Sequence, residues 1–130
     1  MQSIVKAKRE QNLAEKIDVN HTRDIRIYTW GAMERKFDET VEHSFDVRKI
    51  SLDSDPGSIT GLDENLQQTI ENTQTFASYI QNVVKKIEKK NYTSVSVFCH
   101  RGRHRSVAIA EIWLKKTYYP QAKITHLELK

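Results

Sequence analysis

Apolar residues along this chain recur in two rhythms. Ile25, Ile27 and the run Tyr28 to Gly31 read as a first strand ending in a turn, and Phe45, Val47 and Ile50 mark a second, with Asp46 and Arg48 interleaved. From Asp63 to Lys90 the spacing lengthens: Leu66, Ile70, Phe76, Ile80, Val83, Val84 and Ile87 stand three or four residues apart, which predicts one long or two consecutive helices. Thr60 or Asp63 suits the cap, and Lys85 to Lys90 suits the negative end of the dipole. A third strand follows over Ser94 to Cys99, then a helix from Val107 to about Tyr118, and a final strand through Ile124, Leu127 and Leu129, with Pro120 breaking the chain between them. Ala32 to Ser44 is polar and reads as a loop with a short helix, while Ser51 to Ser58 is turn chemistry built on Pro56 and Gly57. Strands alternating with helices predict an α/β fold, a Rossmann-like, mainly parallel sheet flanked by helices in a single domain over residues 24–130. Residues 1–23 are polar and read as a tail or short helix.

Composition narrows the class. At 130 residues, 38% hydrophobic and 29% charged, the chain has enough apolar content for one core. It shows neither a membrane-length apolar run nor the apolar segment of a secretory signal, so the expectation is a cytoplasmic protein with no membrane partner. One cysteine allows no internal disulfide and no cysteine-rich metal site. The histidines show no zinc spacing, and the expectation is no metal and no cofactor. The net charge of +4 is unevenly spread, for residues 99–130 hold seven Lys and Arg against two Asp and Glu. Such polarity favours a polyanion.

The excess centres on Cys99-His100-Arg101-Gly102-Arg103-His104-Arg105-Ser106, a basic loop between an apolar strand and a helix. Backbone N–H groups in a first helical turn lack intrahelical acceptors, and the dipole adds positive potential, so the loop reads as a phosphate cradle. Its phosphate-binding residues are His100, Arg101, Gly102, Arg103, His104, Arg105 and Ser106, with Asp46, Arg48, Trp30 and His126 at the rim or behind it. Asp46 and Arg48 also suit a cross-strand ion pair, Trp30 and Trp113 suit core packing, and His126 suits a structural role.

The loop supports two chemistries. Cys99, five intervening residues, then Arg105 and Ser106 match the C-x5-R loop of cysteine-dependent phosphatases: the thiolate attacks phosphorus, the arginine grips two oxygens and Ser106 assists thiolate departure. The acid that such enzymes need has no clear counterpart. Residues 64 to 74 offer Glu64 and Glu71 on a predicted helix, and Asp53 or Asp55 is the alternative. In the binding alternative Cys99 only closes the strand. A module that serves purely to hold an assembly together is a third reading.

Phe98-Cys99-His100-Arg101-Gly102-Arg103-His104-Arg105-Ser106-Val107 resembles the G-C-T-G-G-K-H-R-S-V loop of the RapZ C-terminal domain family. The likeness extends to Tyr28–Gly31 for that family's S-F-G turn, Phe45-Asp46-Val47-Arg48 for F-D-V-R, Thr60-Gly61-Leu62-Asp63 for T-G-x-D, and His126-Leu127-Glu128-Leu129 for its ending. The resemblance implies an adapter-type domain that binds RNA or a phosphorylated small molecule such as a phosphosugar, forms a homo-oligomer and hydrolyses no nucleotide. The family's P-loop motif occurs nowhere in these residues, and its L-P-N-P-like stretch is replaced by Ile50 to Pro56. Arg101 and Arg103 stand where the family has neutral or Lys positions, which strengthens the pull on phosphate.

Overall fold

Four strands form one parallel sheet: β1 (Arg26–Gly31), β2 (His43–Asp46), β3 (Ser94–Cys99) and β4 (Lys123–His126), in the spatial order β2-β3-β1-β4. This computed structural model describes residues 18–50, 59–73 and 76–129. Residues 1–17 of the expected tail or short helix at 1–23, and the turn at 51–58, including Asp53 and Asp55, lie outside the described residues. Three helical segments complete the α/β fold that the alternating pattern predicts: α1 (Glu64–Glu71), α2 (Phe76–Lys90) and α3 (Arg105–Ala108), which runs on as a π-helix over Ile109–Tyr118. None is long and apolar enough to cross a membrane.

Register decides what each face carries. In-register neighbours of a parallel pair point the same way, so Ile27, Thr29, Val95 and Val97 share one face, and Tyr28, Trp30, Ser96 and Phe98 share the other. The first face joins Ile80, Val83, Val84 and Ile87 of α2 and Ile109, Trp113 and Leu114 of the π-helix in one core. The second face keeps its aromatic side chains half-buried, with Phe37 stacked on Trp30 at 5.0 Å.

Several boundaries differ from the sequence reading. β2 stops at Asp46; Val47 and Ile50 are fully buried, but they lie in the turn beyond the strand, where Val47 N still donates to the Phe98 carbonyl at 2.9 Å. The segment 32–42 forms turns and no helix: Glu34 and Arg35 both return their N–H to Gly31 O in a single turn that is not continued. The Asp63–Lys90 pattern is two helices. Asp63 caps the first by accepting from Leu66 N at 2.9 Å, and Asn91, at φ 55°, closes the second in the left-handed region that asparagine tolerates. β4 ends at His126, although Leu127 N extends the pairing to Thr29 O. The last helix changes type after Ala108 and buries Ile109, Ala110, Trp113, Leu114 and Tyr118 along one side.

Candidate anion-binding site

The carboxyl ends of β1 and β3 lie side by side, Gly31 against Cys99, and the two loops leaving them interlock. Ala32 N donates to Cys99 O at 2.9 Å and Met33 N to His100 O at 2.8 Å. The crossing is backbone on backbone: a Cβ on Gly31 would lie 2.3 Å from the Arg101 carbonyl carbon, and one on Gly102, at φ +71°, would lie 2.4 Å from Gly31 N. Only glycine fits at either position. From the far side Gly61 N donates to Arg103 O at 2.7 Å, and Gln67 Nε2 secures Gly61 by donating to its carbonyl at 2.7 Å. Glu128 closes the corner, accepting from Gly31 N at 3.2 Å and from Arg35 Nε at 2.6 Å.

Cys99 lies at the floor of the loop with 1% of its surface exposed. Its Sγ accepts from Gly102 N at 3.2 Å and meets Ser106 Oγ at 3.3 Å. Burial pushes the thiol up, but hydrogen bonds from the Ser106 hydroxyl and from the backbone of Ser106, Gly102 and His104 outweigh it and hold Cys99 below the ordinary thiol value. The loop amides therefore converge on one point and make it electropositive. A thiolate is the group that reads this potential from within the chain.

Arg105 opens α3. Its Nη1 donates to Arg48 O at 3.0 Å and to Ile50 O at 2.9 Å, which fixes the guanidinium plane. Its Nε is buried with no hydrogen-bond acceptor among the described residues. Nε and Nη2 form the side-on fork that grips two oxygens of a carboxylate or phosphate, as the same two atoms of Arg23 grip Glu88 in this protein. A buried donor without a partner costs about 1–3 kcal/mol, and an oxyanion lying along the fork removes that cost.

The remaining predicted residues divide. Ser106 is buried on the thiol, while His104 is half-buried at the start of α3. His100, Arg101 and Arg103 are exposed at the rim, Arg101 lying 3.5 Å from Glu34. Asp46 and Arg48 form a local pair two residues apart, at 2.7 Å, and the Arg48 guanidinium covers Phe98 at 5.2 Å. Arg48 reaches the site through its carbonyl, and Asp46 steadies it. Trp30 is flanked by Phe37 and by Phe98 at 4.5 Å, within the sheet face behind the loop. His126 has both ring nitrogens engaged, Nε2 with Glu111 at 2.7 Å and Nδ1 with Thr29 Oγ1 at 2.7 Å, and ties β4 to β1 and the π-helix. Gly61, Gln67 and Glu128 are braces that the sequence reading left without a role, although Thr60–Asp63 and His126–Leu129 had drawn attention as motifs. Among the described residues no three His, Cys, Asp or Glu side chains cluster to hold a metal.

Comparison with known proteins gives a consistent picture. A nucleotide-binding protein of Geobacter sp. (strain M21) is 35% identical over 83 residues, which covers 54% of this chain and 28% of that protein. A nucleotide-binding protein of Arthrobacter sp. (strain FB24) is 32% identical over 76 residues, 51% of this chain and 25% of that protein. The chain thus matches about a quarter of the length of these curated relatives. The model of the RapZ C-terminal domain matches residues 23–130, a span that includes every strand and helix described above. By that match, this chain belongs to the RapZ C-terminal domain family.

Proposed function

We propose that the Cys99–Ser106 loop binds a phosphate group, carried by RNA or by a phosphorylated small molecule such as a phosphosugar, and that the domain acts as a cytoplasmic adapter. The observation that carries this reading is Arg105, whose Nη1 is pinned by two carbonyls while its buried Nε lacks an acceptor among the described residues. The nucleotide-binding names of the two relatives support a phosphorylated ligand in general terms. Calorimetric titration with inorganic phosphate, a hexose phosphate and an RNA hairpin tests it. Arg105→Lys keeps a cation and loses the fork, so phosphate affinity should fall about tenfold or more. Equal affinity in the wild type and the lysine variant would discard the assignment.

A second reading, cysteine phosphatase, draws on the convergence of the Ser106 hydroxyl and three backbone N–H groups on Cys99 Sγ. In that chemistry the thiolate forms an S–P bond as the P–O bond to the alcohol breaks, an acid protonates the departing alcohol, and water then cleaves the S–P bond. Release of p-nitrophenol from p-nitrophenyl phosphate, abolished in Cys99→Ser, supports it. Inertness of the wild-type protein removes it.

A further inference from the structure

Behind the anion loop, on the sheet face away from the helices, lies an open hollow of about 760 Å³. Trp30, Phe37, Ser44 and Lys36 are among the residues that line it. We propose that this hollow receives an unpaired nucleobase, a second contact for the RNA of the preceding reading, on which the proposal rests.

Three features carry it. The first is a directed polar relay. The indole Nε1 of Trp30 donates to Ser96 Oγ at 3.0 Å, since an indole only donates, and Ser96 Oγ lies 2.6 Å from Ser44 Oγ. Ser96 therefore accepts from the indole and passes its own hydrogen to Ser44. That leaves the Ser44 hydroxyl hydrogen without an acceptor among the described residues, on a residue that lines the hollow. It is a donor set for a carbonyl or ring nitrogen at the edge of a planar heterocycle. The second feature is the wall itself. Trp30 lies near-parallel to Phe37 at an interplanar angle of 9°, and both are half-buried, so a flat ring continues a stack already begun.

The third feature is charge and position. Arg35 is taken by Glu128 and Glu34 lies near Arg101, whereas Lys36 is exposed and enters no ion pair among the described residues. It can meet a backbone phosphate next to the seated base. The hollow also adjoins the first site, because Ala32 and Met33, which line it, donate to the carbonyls of Cys99 and His100. A strand with one phosphate at Arg105 passes over this turn to reach the hollow. A serine hydroxyl and an aromatic wall, with Glu34 also in the lining and Arg35 held by Glu128, suit a base better than a second phosphate, which would call for several cations free to meet it.

NMR of the full chain tests the proposal, with the Trp30 indole N–H as reporter and the buried Trp113 indole as internal control. The probes are a single-stranded hexauridylate and a hexaadenylate, uridine and adenosine monophosphates, the free nucleosides, and inorganic phosphate. The oligonucleotides should shift the Trp30 indole resonance and leave Trp113 in place. Phe37→Ala should weaken that response about tenfold, in line with the loss of one stacking contact. Lys36→Glu, on an exposed side chain that leaves the fold intact, should weaken the oligonucleotides by several-fold and the nucleosides little. A response of equal affinity to the monophosphates identifies the free nucleotide as the source of the base, and a preference for the hexamers identifies the strand. A Trp30 resonance indifferent to every base-containing probe, or unchanged affinity in both variants, overturns the proposal. In that case inorganic phosphate binding that is lost in Arg105→Lys leaves the anion site standing, so the two readings fail separately.

Discussion

Cys99 is the residue at which the loop's electrostatics is measurable. Its thiol should ionise below the value of an ordinary cysteine, read from thiolate ultraviolet absorbance against pH, and Ser106→Ala should move the inflection upward. The sign of the linked stability follows from the depressed value. Between the folded and unfolded pKa the native chain is ionised and the unfolded chain is not, so stability rises with pH through this window and is complete above the unfolded thiol value. A titration in which the Ser106 variant matches the wild type would break the link between the hydroxyl and the thiol. The residue scale is also where the sequence is most readable. Cys99, Arg105 and Ser106 announce themselves by type and spacing; the structure sets Ser106 on the Cys99 thiol and the Arg105 guanidinium on the carbonyls of Arg48 and Ile50. His126 is as conspicuous in the sequence, yet Glu111 and Thr29 hold it, partners 15 and 97 residues away that no local pattern reveals.

Among the elements, the end of β1 and the loop after β3 behave as one unit. Gly31→Ala pushes a methyl group into the Arg101 backbone and should cost about 1–3 kcal/mol, read as a lowered denaturant midpoint with the slope unchanged. The same variant should weaken phosphate binding although residue 31 donates nothing to the ligand. Helix α2 is tied to its surroundings at Glu88, which accepts from Arg23 Nε and Nη2 at 3.0 Å each, from Tyr119 OH at 2.6 Å and from Asn20 N at 2.9 Å. Burial raises the Glu88 carboxyl, and these donors outweigh it and bring it below the ordinary carboxylate range. Its contribution is therefore present above about pH 4.3 and lost as the pH falls below it. Glu88→Ala should cost about 3 kcal/mol near neutrality and much less at pH 3, checked by urea unfolding at both. Strand and helix positions were legible because burial sets period and period shows in the sequence. Element ends were not: β2 stops short of Val47 and Ile50 because the chain turns there while still burying them, and apolarity records burial without recording hydrogen bonding. The π-helix was hidden for a related reason, since a four-to-five spacing over one short segment also fits an α-helix.

At the scale of the molecule, the two proposed sites draw on opposite faces of the sheet. The helix-covered face supplies the rigid floor for Cys99, and the opposite face supplies the aromatic side chains around Trp30. The basic balance of residues 99–130 predicts that RNA affinity falls steeply with salt, and each neutralised phosphate contributes a slope of about −0.7 for single strands and about −0.9 for duplexes in log K against log salt. Arg105→Lys should leave that slope nearly unchanged while lowering affinity, and Arg101→Ala should reduce it by roughly one phosphate equivalent, both measured by titration at several ionic strengths. The charge distribution was readable from the sequence; the hollow was not, because Trp30, Phe37 and Ser44 meet only once β2 has paired across β3. The carbonyls of Arg48 and Ile50 have one more effect. An unrestrained arginine sacrifices about 2 kcal/mol of rotamer freedom when it captures a guest, but Arg105 has already made that sacrifice during folding. Capture is thereby preorganised. Altering the length of the turn at 48–50, remote from any ligand atom, should shorten residence time by setting this side chain loose.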